Sequence, residues 1–390
     1  MSDFTFNTTP SIHNKLGSVK RLGEVISSMP FATGKNAILF VTDPGIMKLG
    51  LADTAIQSVE DAGFKVRVFD GVEADPKAVT ILNAVEIAIE HKAQCVVGFG
   101  GGSSMDVAKL IALLAVSDQK LDDIFGVNQA VGERLPLVLV PTTAGTGSEV
   151  TPISIVTTGT EEKKGVVTPI ILPDIAVLDA ELTIGLPAHI TAATGVDAMV
   201  HAIEAFTSRS ANNNPISKIL AQQALALLGA NIQQAVVNGG DLNARSNMLL
   251  GSLLAGQAFA NAPVAAVHAL AYPVGSLFHV PHGLSNALVL CEVMRFNAPE
   301  CATEYAQIAP FVFPDIDFSK SDNSICATFI DRMDELNFEL GLQSGLRHVG
   351  IEQSDIPRLA SDAMNQTRLL VNNPRVVTLA DATEIYEKSF

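Results

Sequence analysis

The fold is decided by the stretch Val96–Asp106, VVGFGGGSSMD, in which an apolar run leads through a glycine cluster into a helix-forming segment. This order is typical of a buried strand, a tight turn and a helix. Glycines let backbone amides approach a phosphate closely, and a helix beginning near Ser103 directs its positive end to the same place. The stretch contains neither GxGxxG nor a P-loop lysine, and a tight turn capped by Ser103 is the alternative. We predict a phosphate-binding loop.

Apolar runs of strand length recur around this stretch and alternate with segments of helical periodicity. Such alternation predicts a mostly parallel sheet that is covered by helices on both faces. Two shorter runs, Ile153–Val156 and Ile175–Leu178, are expected to extend the same sheet. The predicted strands are Ala37–Thr42, Lys65–Phe69, Gln94–Phe99 and Leu137–Val140, and the predicted helices include Val79–His91 and Asp106–Val116.

The pattern changes after Leu186 and Pro187. Apolar residues then recur at intervals of three and four, in alanine-rich segments such as Ile216–Leu228 and Leu249–Ala260. This periodicity is typical of packed helices. We therefore predict an α/β dinucleotide-binding domain over residues 1–185, with a mostly parallel sheet, and an all-helical, metal-binding and catalytic domain over residues 186–390.

The balance of charge restricts the partners of this protein. The 390 residues include 25 lysines and arginines against 41 aspartates and glutamates, a formal net charge of −16. Nucleic-acid binding needs a basic stripe, and the chain has no run of basic residues. We therefore expect no nucleic acid and no membrane as partners. An anionic cofactor is compatible with the charge, because backbone amides can hold a phosphate.

Cysteine usage and the N-terminus indicate a cytoplasmic protein. The spacings of Cys95, Cys291, Cys301 and Cys326 match no zinc ribbon or CxxC motif, so we expect free, buried thiols. The first ten residues lack the basic and then apolar order of a signal peptide. Residues 248–291 contain no Asp, Glu, Lys or Arg. Polar residues and prolines interrupt this stretch, which we interpret as core helices around a polar site.

A second candidate loop follows the fourth strand, with the sequence PTTAGTGSE over residues 141–149. In open α/β sheets, ligands bind at the carboxyl ends of the strands, where hydroxyls can hold a diphosphate or a ribose. Asp43 ends the first strand, where a carboxylate can accept hydrogen bonds from ribose and would repel the extra phosphate of NADP. Each feature alone is also compatible with an ordinary turn. Together they predict a dinucleotide, with NAD favoured over NADP.

Four metal-ligating side chains occur in the helical part. Asp197 and His201 are four residues apart, so a helix places them on one face, one turn apart. His268 and His282 lie in the stretch without charged residues, where imidazoles need polar partners that one shared cation would supply. One carboxylate and three imidazoles suit Fe(II), Zn(II), Ni(II) or Co(II). Glu204, one turn after His201, is either an orienting partner of a ligand or a solvated helix residue.

Taken together, these motifs resemble those of the iron-containing (group III) alcohol dehydrogenases. The resemblance implies a dehydroquinate synthase-like architecture and one divalent metal, Fe²⁺ ahead of Zn²⁺ or Ni²⁺. The metal ligands that it implies are Asp197, His201, His268 and His282. The segments that carry it are Gly100–Asp106, Pro141–Glu149, Ala193–Glu204, His268–Gly283 and Asn372–Thr378.

The same resemblance implies which residues line the cofactor site. Lys164 and Leu182 enter this set through the resemblance alone, and Leu182 is expected on the nicotinamide side. The full set is Asp43, Gly101, Gly102, Ser103, Asp106, Thr142, Thr143, Thr146, Ser148, Lys164 and Leu182.

This chain departs from the family at the residues expected to carry the proton. Many members have histidine four residues after the third ligand, where this chain has Tyr272. His279 lies three residues before the fourth ligand, where asparagine is common. Tyr272 and His279 are therefore our candidate catalytic residues for proton transfer, with transfer through water as the alternative.

The predicted reaction is hydride transfer between a small alcohol and NAD, or between NADH and an aldehyde, with the metal polarising the substrate oxygen. One alternative is a zinc-dependent polyol or hydroxyacid dehydrogenase of the glycerol dehydrogenase type. Others are a metallohydrolase and a non-catalytic scaffold, against which the glycine and threonine loops count. A mean hydropathy of +0.31 favours a homodimer or a larger homo-oligomer.

Overall fold

A computed structural model describes residues 3–32, 36–159 and 162–390. Residue contacts divide it into two compact units. The first, which we call the sheet unit, comprises residues 7–143 and 147–184. The second, which we call the helical unit, comprises the residues up to Phe6, the short segment 144–146, and residues 185–390.

The strands of the sheet unit form two sheets. In chain order they are β1 (Ser11–Asn14), β2 (Ala37–Val41), β3 (Lys65–Phe69), β4 (Cys95–Gly100), β5 (Gly126–Val127), β6 (Leu137–Pro141), β7 (Ile153–Thr158), β8 (Glu162–Val167) and β9 (Ile175–Leu178). The larger sheet has the order β1-β9-β6-β4-β2-β3, and every neighbouring pair in it is parallel. The predicted parallel sheet is therefore confirmed, including its extension by the run that forms β9.

Buried side chains of the larger sheet alternate between two apolar cores. Leu39 and Val96 belong to one core, and their chain neighbours Phe40 and Val97 belong to the other. Successive side chains of a strand point to opposite faces, so both faces of this sheet are covered. The covering helices are α1 (Leu22–Ser27), α2 (Pro44–Lys48) and α3 (Asp53–Asp61) on one face, and α4 (Ala78–Glu90) and α5 (Gly102–Leu114) on the other.

The expectation that Ile153–Val156 extends the larger sheet is wrong. These residues lie in β7, which pairs antiparallel with β8 in a separate sheet of order β5-β8-β7. The register runs from Ile153 opposite Val167 to Thr158 opposite Glu162. β8 follows β7 closely along the chain and pairs with it as an antiparallel hairpin, so the strand partner of β7 lies in this second sheet.

The described residues from 185 onward contain helices and no strand. They are α6 (Ala188–Thr207), α7 (Pro215–Val237), α8 (Leu242–Asn261), α9 (Ala266–Phe278), α10 (His282–Val312), α11 (Asp322–Glu339), α12 (Ile356–Ala363), α13 (Thr367–Leu370) and α14 (Leu379–Lys388). The predicted fold class, a parallel α/β part followed by a helical part, is confirmed.

The stretch without charged residues spans α8, α9 and the start of α10. Within the described ranges, no helix alone has the length and apolar composition needed to cross a bilayer. Helices α8 and α9 meet both requirements only as a pair, which is bent by 108°.

A glycine sets the spacing between α10 and α6. A Cβ atom added at Gly283 would lie 2.4 Å from the Ala193 carbonyl oxygen and 3.3 Å from the Asp197 Cβ. No real Cβ atom approaches a backbone oxygen so closely, so only glycine permits this contact. The first turn of α10 is therefore brought directly against the middle of α6.

Candidate metal and cofactor sites

The four predicted metal ligands converge within the helical unit. One ligand atom from each of Asp197, His201, His268 and His282 lies within 4.8 Å of the other three. Helix α6 supplies the first two, α9 supplies the third and α10 begins with the fourth. The first three side chains are buried, and that of His282 is half-buried.

Hydrogen bonds select the ring nitrogen that each buried histidine offers. His201 Nδ1 lies 3.2 Å from the Gly145 carbonyl oxygen, and His268 Nδ1 lies 2.7 Å from Glu204 Oε2. Both partners accept hydrogen bonds, so each Nδ1 carries a proton and Nε2 is the ring nitrogen left to bind a metal ion. Burial holds the pKa of His201 well below its usual value, and the neighbouring His268 lowers it further. A neutral ring with a free Nε2 is the form that binds a metal ion.

Two buried carboxylates make this cluster negative, so it requires a positive charge to balance them. Asp197 is 2% exposed and Glu204 is 4% exposed. Among the described residues, neither forms an ion pair with a lysine or an arginine. Glu204 instead accepts hydrogen bonds from the Val267 amide at 2.7 Å and from the His268 ring. Because isolated buried charge is costly, one divalent cation among neutral imidazoles fits this donor set.

The two candidates for proton transfer occupy different positions. Tyr272 is half-buried, and its ring centroid lies 6.0 Å from that of His282. His279 is exposed and ends α9 with a φ of 55°, a conformation that asparagine adopts more readily than most residues. The structure therefore places Tyr272 near His282 and His279 at the exposed junction of α9 and α10.

Three loops of the sheet unit lie side by side at the carboxyl edge of the larger sheet. Val41 of β2 pairs with Gly98 of β4, and Gly100 pairs with Pro141 of β6. The Thr142 amide also donates a hydrogen bond to the Gly100 carbonyl oxygen, at 2.9 Å. Most of the residues predicted to hold the dinucleotide follow these three strands, and the parallel register brings the ends of the strands together.

The glycine loop leaves the first turn of α5 open. Gly100 has a φ of 151°, and a Cβ added there would lie 2.7 Å from Ser104 Oγ. Gly101 is the N-cap of α5, and no side chain caps the helix. The alternative of a turn capped by Ser103 is therefore wrong. The amides that begin at Gly102 and Ser103 are not taken by a side-chain cap, as binding of a phosphate requires.

Asp43 has a structural role at the edge of this loop. Its Oδ1 accepts hydrogen bonds from the amides of Gly45 at 2.9 Å and Ile46 at 3.0 Å, and so caps α2. Its Oδ2 lies 3.4 Å from the position of a Cβ on Gly100. One carboxylate oxygen thus fixes the loop after β2, and the other faces the glycine loop.

A buried lysine that the sequence analysis missed connects the two candidate loops. Lys109 Nζ lies 2.8 Å from Ser148 Oγ, 2.7 Å from the Ile153 carbonyl oxygen and 3.3 Å from Asp106 Oδ1. Ser148 Oγ also donates to Asp106 Oδ1 at 2.6 Å, and Asp106 Oδ2 accepts from the Ile155 amide at 3.0 Å. Asp106 and Ser148, both predicted at the cofactor, therefore brace α5 against the second loop.

The same region holds a buried acid. Glu149 is 1% exposed, and burial raises its pKa to about 7, although Lys109 opposes the shift. Burial also lowers the pKa of Lys109, against the opposing effects of Asp106 and Glu149. These buried ionisable residues lie between α5 and the second loop, and the apolar periodicity of α5 gave no signal for them.

The remaining predicted cofactor residues have different surroundings. Thr142 is buried and Thr143 is half-buried at the end of β6, and Thr146 belongs to the segment of the helical unit. Lys164 Nζ of β8 lies 5.9 Å from the centroid of the Phe125 ring. Leu182 is buried in the apolar core of the sheet unit.

Comparisons with known proteins agree along the whole chain. Residues 9–180 match the family described as iron-containing alcohol dehydrogenase, and residues 191–390 match the C-terminal region of the Fe-containing alcohol dehydrogenase family. Long-chain-alcohol dehydrogenase 1 of Geobacillus thermodenitrificans is 40% identical over 361 residues, which cover 92% of this chain and 90% of that protein.

Solved structures show the same similarity. A crystal structure of a 1,3-propanediol oxidoreductase has a TM-score of 0.94 and 32% identity, and the match covers 100% of both chains. A sulfoacetaldehyde reductase from Bifidobacterium kashiwanohense, solved in complex with NAD⁺, has a TM-score of 0.86 and 28% identity over 100% of this chain and 98% of that one.

The fold and these matches define an oxidoreductase that acts on CH–OH groups. More narrowly, the chain belongs to the iron-containing alcohol dehydrogenase family. The resemblance drawn from its motifs is confirmed, and its predicted class of enzyme, an alcohol dehydrogenase, is confirmed with it.

Replacing Glu204 with glutamine tests the orienting hydrogen bond at His268. We expect the affinity for a divalent metal to fall about 10- to 100-fold, because the charged partner of the ligand ring is lost. Zn²⁺ dissociation constants, measured by competition with a chromogenic chelator, check this. Glu300→Gln, at an exposed position of α10, is the control. Equal constants for Glu204→Gln and wild type would show that Glu204 does not support the ligand.

Replacing Lys109 with methionine tests the connection between the two loops. Removing one partner of a buried ionic group typically costs about 3 to 5 kcal/mol of stability. We also expect the dissociation constant for NADH to rise at least tenfold, because Ser148 and Asp106 lose their shared partner. Urea unfolding and NADH fluorescence titration measure the two effects. Lys20→Met, in an exposed ion pair with Glu181, is the control and should change neither.

Proposed function

We propose that this enzyme interconverts small alcohols and aldehydes with NAD and one divalent metal ion, Fe²⁺ in the cell. The proposed ligands are Asp197, His201, His268 and His282. The convergence of their four ligand atoms within 4.8 Å is the observation that carries the proposal.

Two structural relatives support a substrate whose reacting group lies at the end of its chain. 1,3-Propanediol and sulfoacetaldehyde, for which two structural relatives are named, both carry their reacting group at the end of a short chain. We therefore propose a terminal hydroxyl or aldehyde as the group on which this chain acts.

The cofactors divide the chemistry between them. When bound, the cation supplies a Lewis acid that makes an alcohol easier to deprotonate, and the nicotinamide supplies the hydride acceptor. The protein residues hold and orient these groups: Glu204 fixes the ring of His268, and the Gly145 carbonyl fixes that of His201. Tyr272 lies near the ligand His282, and His279 is exposed at the junction of α9 and α10. These two residues are proposed to move the hydroxyl proton to solvent.

The proposed binding site for NAD is the carboxyl edge of the larger sheet. The uncapped first turn of α5 offers backbone amides to the diphosphate, and the hydroxyls of Thr142 and Thr143 follow the neighbouring strand. Asp43 Oδ2 faces this loop and is proposed to accept a hydrogen bond from ribose, which disfavours NADP. Lys164 and Leu182 are proposed from the family resemblance, together with Gly101, Gly102, Ser103, Asp106, Thr146 and Ser148.

A homo-oligomer, a dimer or larger, is also proposed. Large apolar side chains are exposed on the helical unit, such as Val237, 85% exposed, and Val376, 82% exposed. Burying such residues against another copy would be favourable.

We propose a reducing, cytoplasmic location because all four cysteines are buried and free.

Metal removal and replacement test the function directly. Chelated enzyme should lose NAD-dependent oxidation of a panel of short terminal alcohols, and anaerobic addition of Fe²⁺ should restore it. His268→Ala should bind less than a tenth of the metal and lose nearly all turnover, because one of four ligands is missing. His189→Ala, at an exposed histidine of α6, should behave as wild type. Full activity of His268→Ala or of chelated enzyme would contradict the proposal.

Cofactor preference tests the role of Asp43. Wild type should use NAD with a higher kcat/KM than NADP, and Asp43→Asn should narrow the ratio, because asparagine keeps the oxygen that caps α2 and loses the charge. Asp43→Gly removes both the oxygen that caps α2 and the negative charge. Comparing its free energy of unfolding with that of Asp43→Asn separates the effect of the cap from the effect of the charge. If wild type used NAD and NADP with equal kcat/KM, Asp43 would have no role in selecting NAD.

A further inference from the structure

The amide of Asn286 lies among the metal ligands. Asn286 Nδ2 is 2.6 Å from Asp197 Oδ1, and it is 3.3 Å from Nε2 of both His268 and His282. A single side chain that is none of the four ligands thus contacts three of them. Asn286 is completely buried.

We propose that Asn286 is a positioning residue of the metal centre, which sets the orientation of the Asp197 carboxylate. This inference rests on the proposed metal site. The amide donates to Oδ1 of the carboxylate, so rotation of the carboxylate would break a short hydrogen bond to a charged group. A metal ligand that is held in this way meets the cation with one fixed oxygen geometry.

The fold explains how Asn286 reaches a residue 89 positions away in the chain. Asn286 lies one helical turn after His282, on the same face of α10. The contact at Gly283 brings this turn of α10 against α6, where Asp197 is located. The ligand His282 and the positioning residue Asn286 therefore come from one turn of α10. This turn reaches Asp197 because Gly283 permits the close approach of α10 to α6.

The chemistry of asparagine suits this position better than that of aspartate. An amide donates a hydrogen bond without adding a third negative charge beside Asp197 and Glu204. The Asn286 Oδ1 atom is buried and has no hydrogen-bond partner among the described residues. A buried polar group that is only partly satisfied is costly, which argues that the contact of its Nδ2 with the ligands is functional.

Asn286→Leu tests the proposal, because leucine has a similar volume and no hydrogen bond to give. Zn²⁺ dissociation constants are measured by chelator competition, and the visible absorption spectrum is recorded for enzyme refilled with Co²⁺, whose bands report ligand geometry. We expect the dissociation constant to rise about 10- to 100-fold and the Co²⁺ bands to shift. If the Asn286→Leu variant does not fold, Asn286→Ala replaces it, and we expect the same changes in Zn²⁺ affinity and in the Co²⁺ spectrum.

Asn297→Leu is the matched control. Asn297 is also a buried asparagine of α10, but its amide bonds to Asn373. This variant should lose stability and keep both the Zn²⁺ affinity and the Co²⁺ spectrum. If Asn286→Leu and Asn286→Ala match wild type in both measurements, Asn286 has no positioning role. If wild type itself binds no metal, the proposed metal site fails first, and the inference falls with it.

Discussion

Two buried carboxylates without a basic partner among the described residues are the constraint on which the helical unit depends. Asp197 and Glu204 are buried without a lysine or an arginine to pair with among the described residues. Neutral imidazoles do not supply the missing charge, and a divalent cation does. The hydrogen bond from His268 to Glu204 connects this second carboxylate to the four candidate ligands, so the proposed cation would balance both acids.

The sheet unit contains the opposite case, a buried positively charged side chain. The ammonium group of Lys109 is surrounded by Asp106, Ser148 and backbone oxygen, and it thereby fixes the helix after the glycine loop to the loop after β6. Such groups contribute little net stability compared with apolar packing, but removal of one partner leaves an uncompensated buried charge. Asp106 and Ser148, which are proposed to line the nucleotide site, have polar atoms bonded to these protein partners.

Local signals account for what could be predicted from the sequence. The strands β2, β3, β4 and β6 and the helices between them follow from runs and periodicities of apolar residues, which reflect burial on one or both faces. The run at Ile153–Val156 misled, because an apolar run indicates a strand and does not indicate its partner. The alternative of a Ser103 cap shows the same limit: a serine near a helix start is a frequent cap, yet here Gly101 is the N-cap and no side chain caps the helix.

The sequence by itself determined the class of fold, the family and the four candidate ligands, because their residue types and spacings are rare in combination. Only the tertiary structure decided that Glu204 supports His268, that Lys109 joins two loops and that Asn286 contacts three ligands. The pairs Lys109–Ser148, Glu204–His268 and Asn286–Asp197 lie 39, 64 and 89 positions apart in the chain. No local periodicity encodes such a pair, since its distance depends on how whole helices and strands pack.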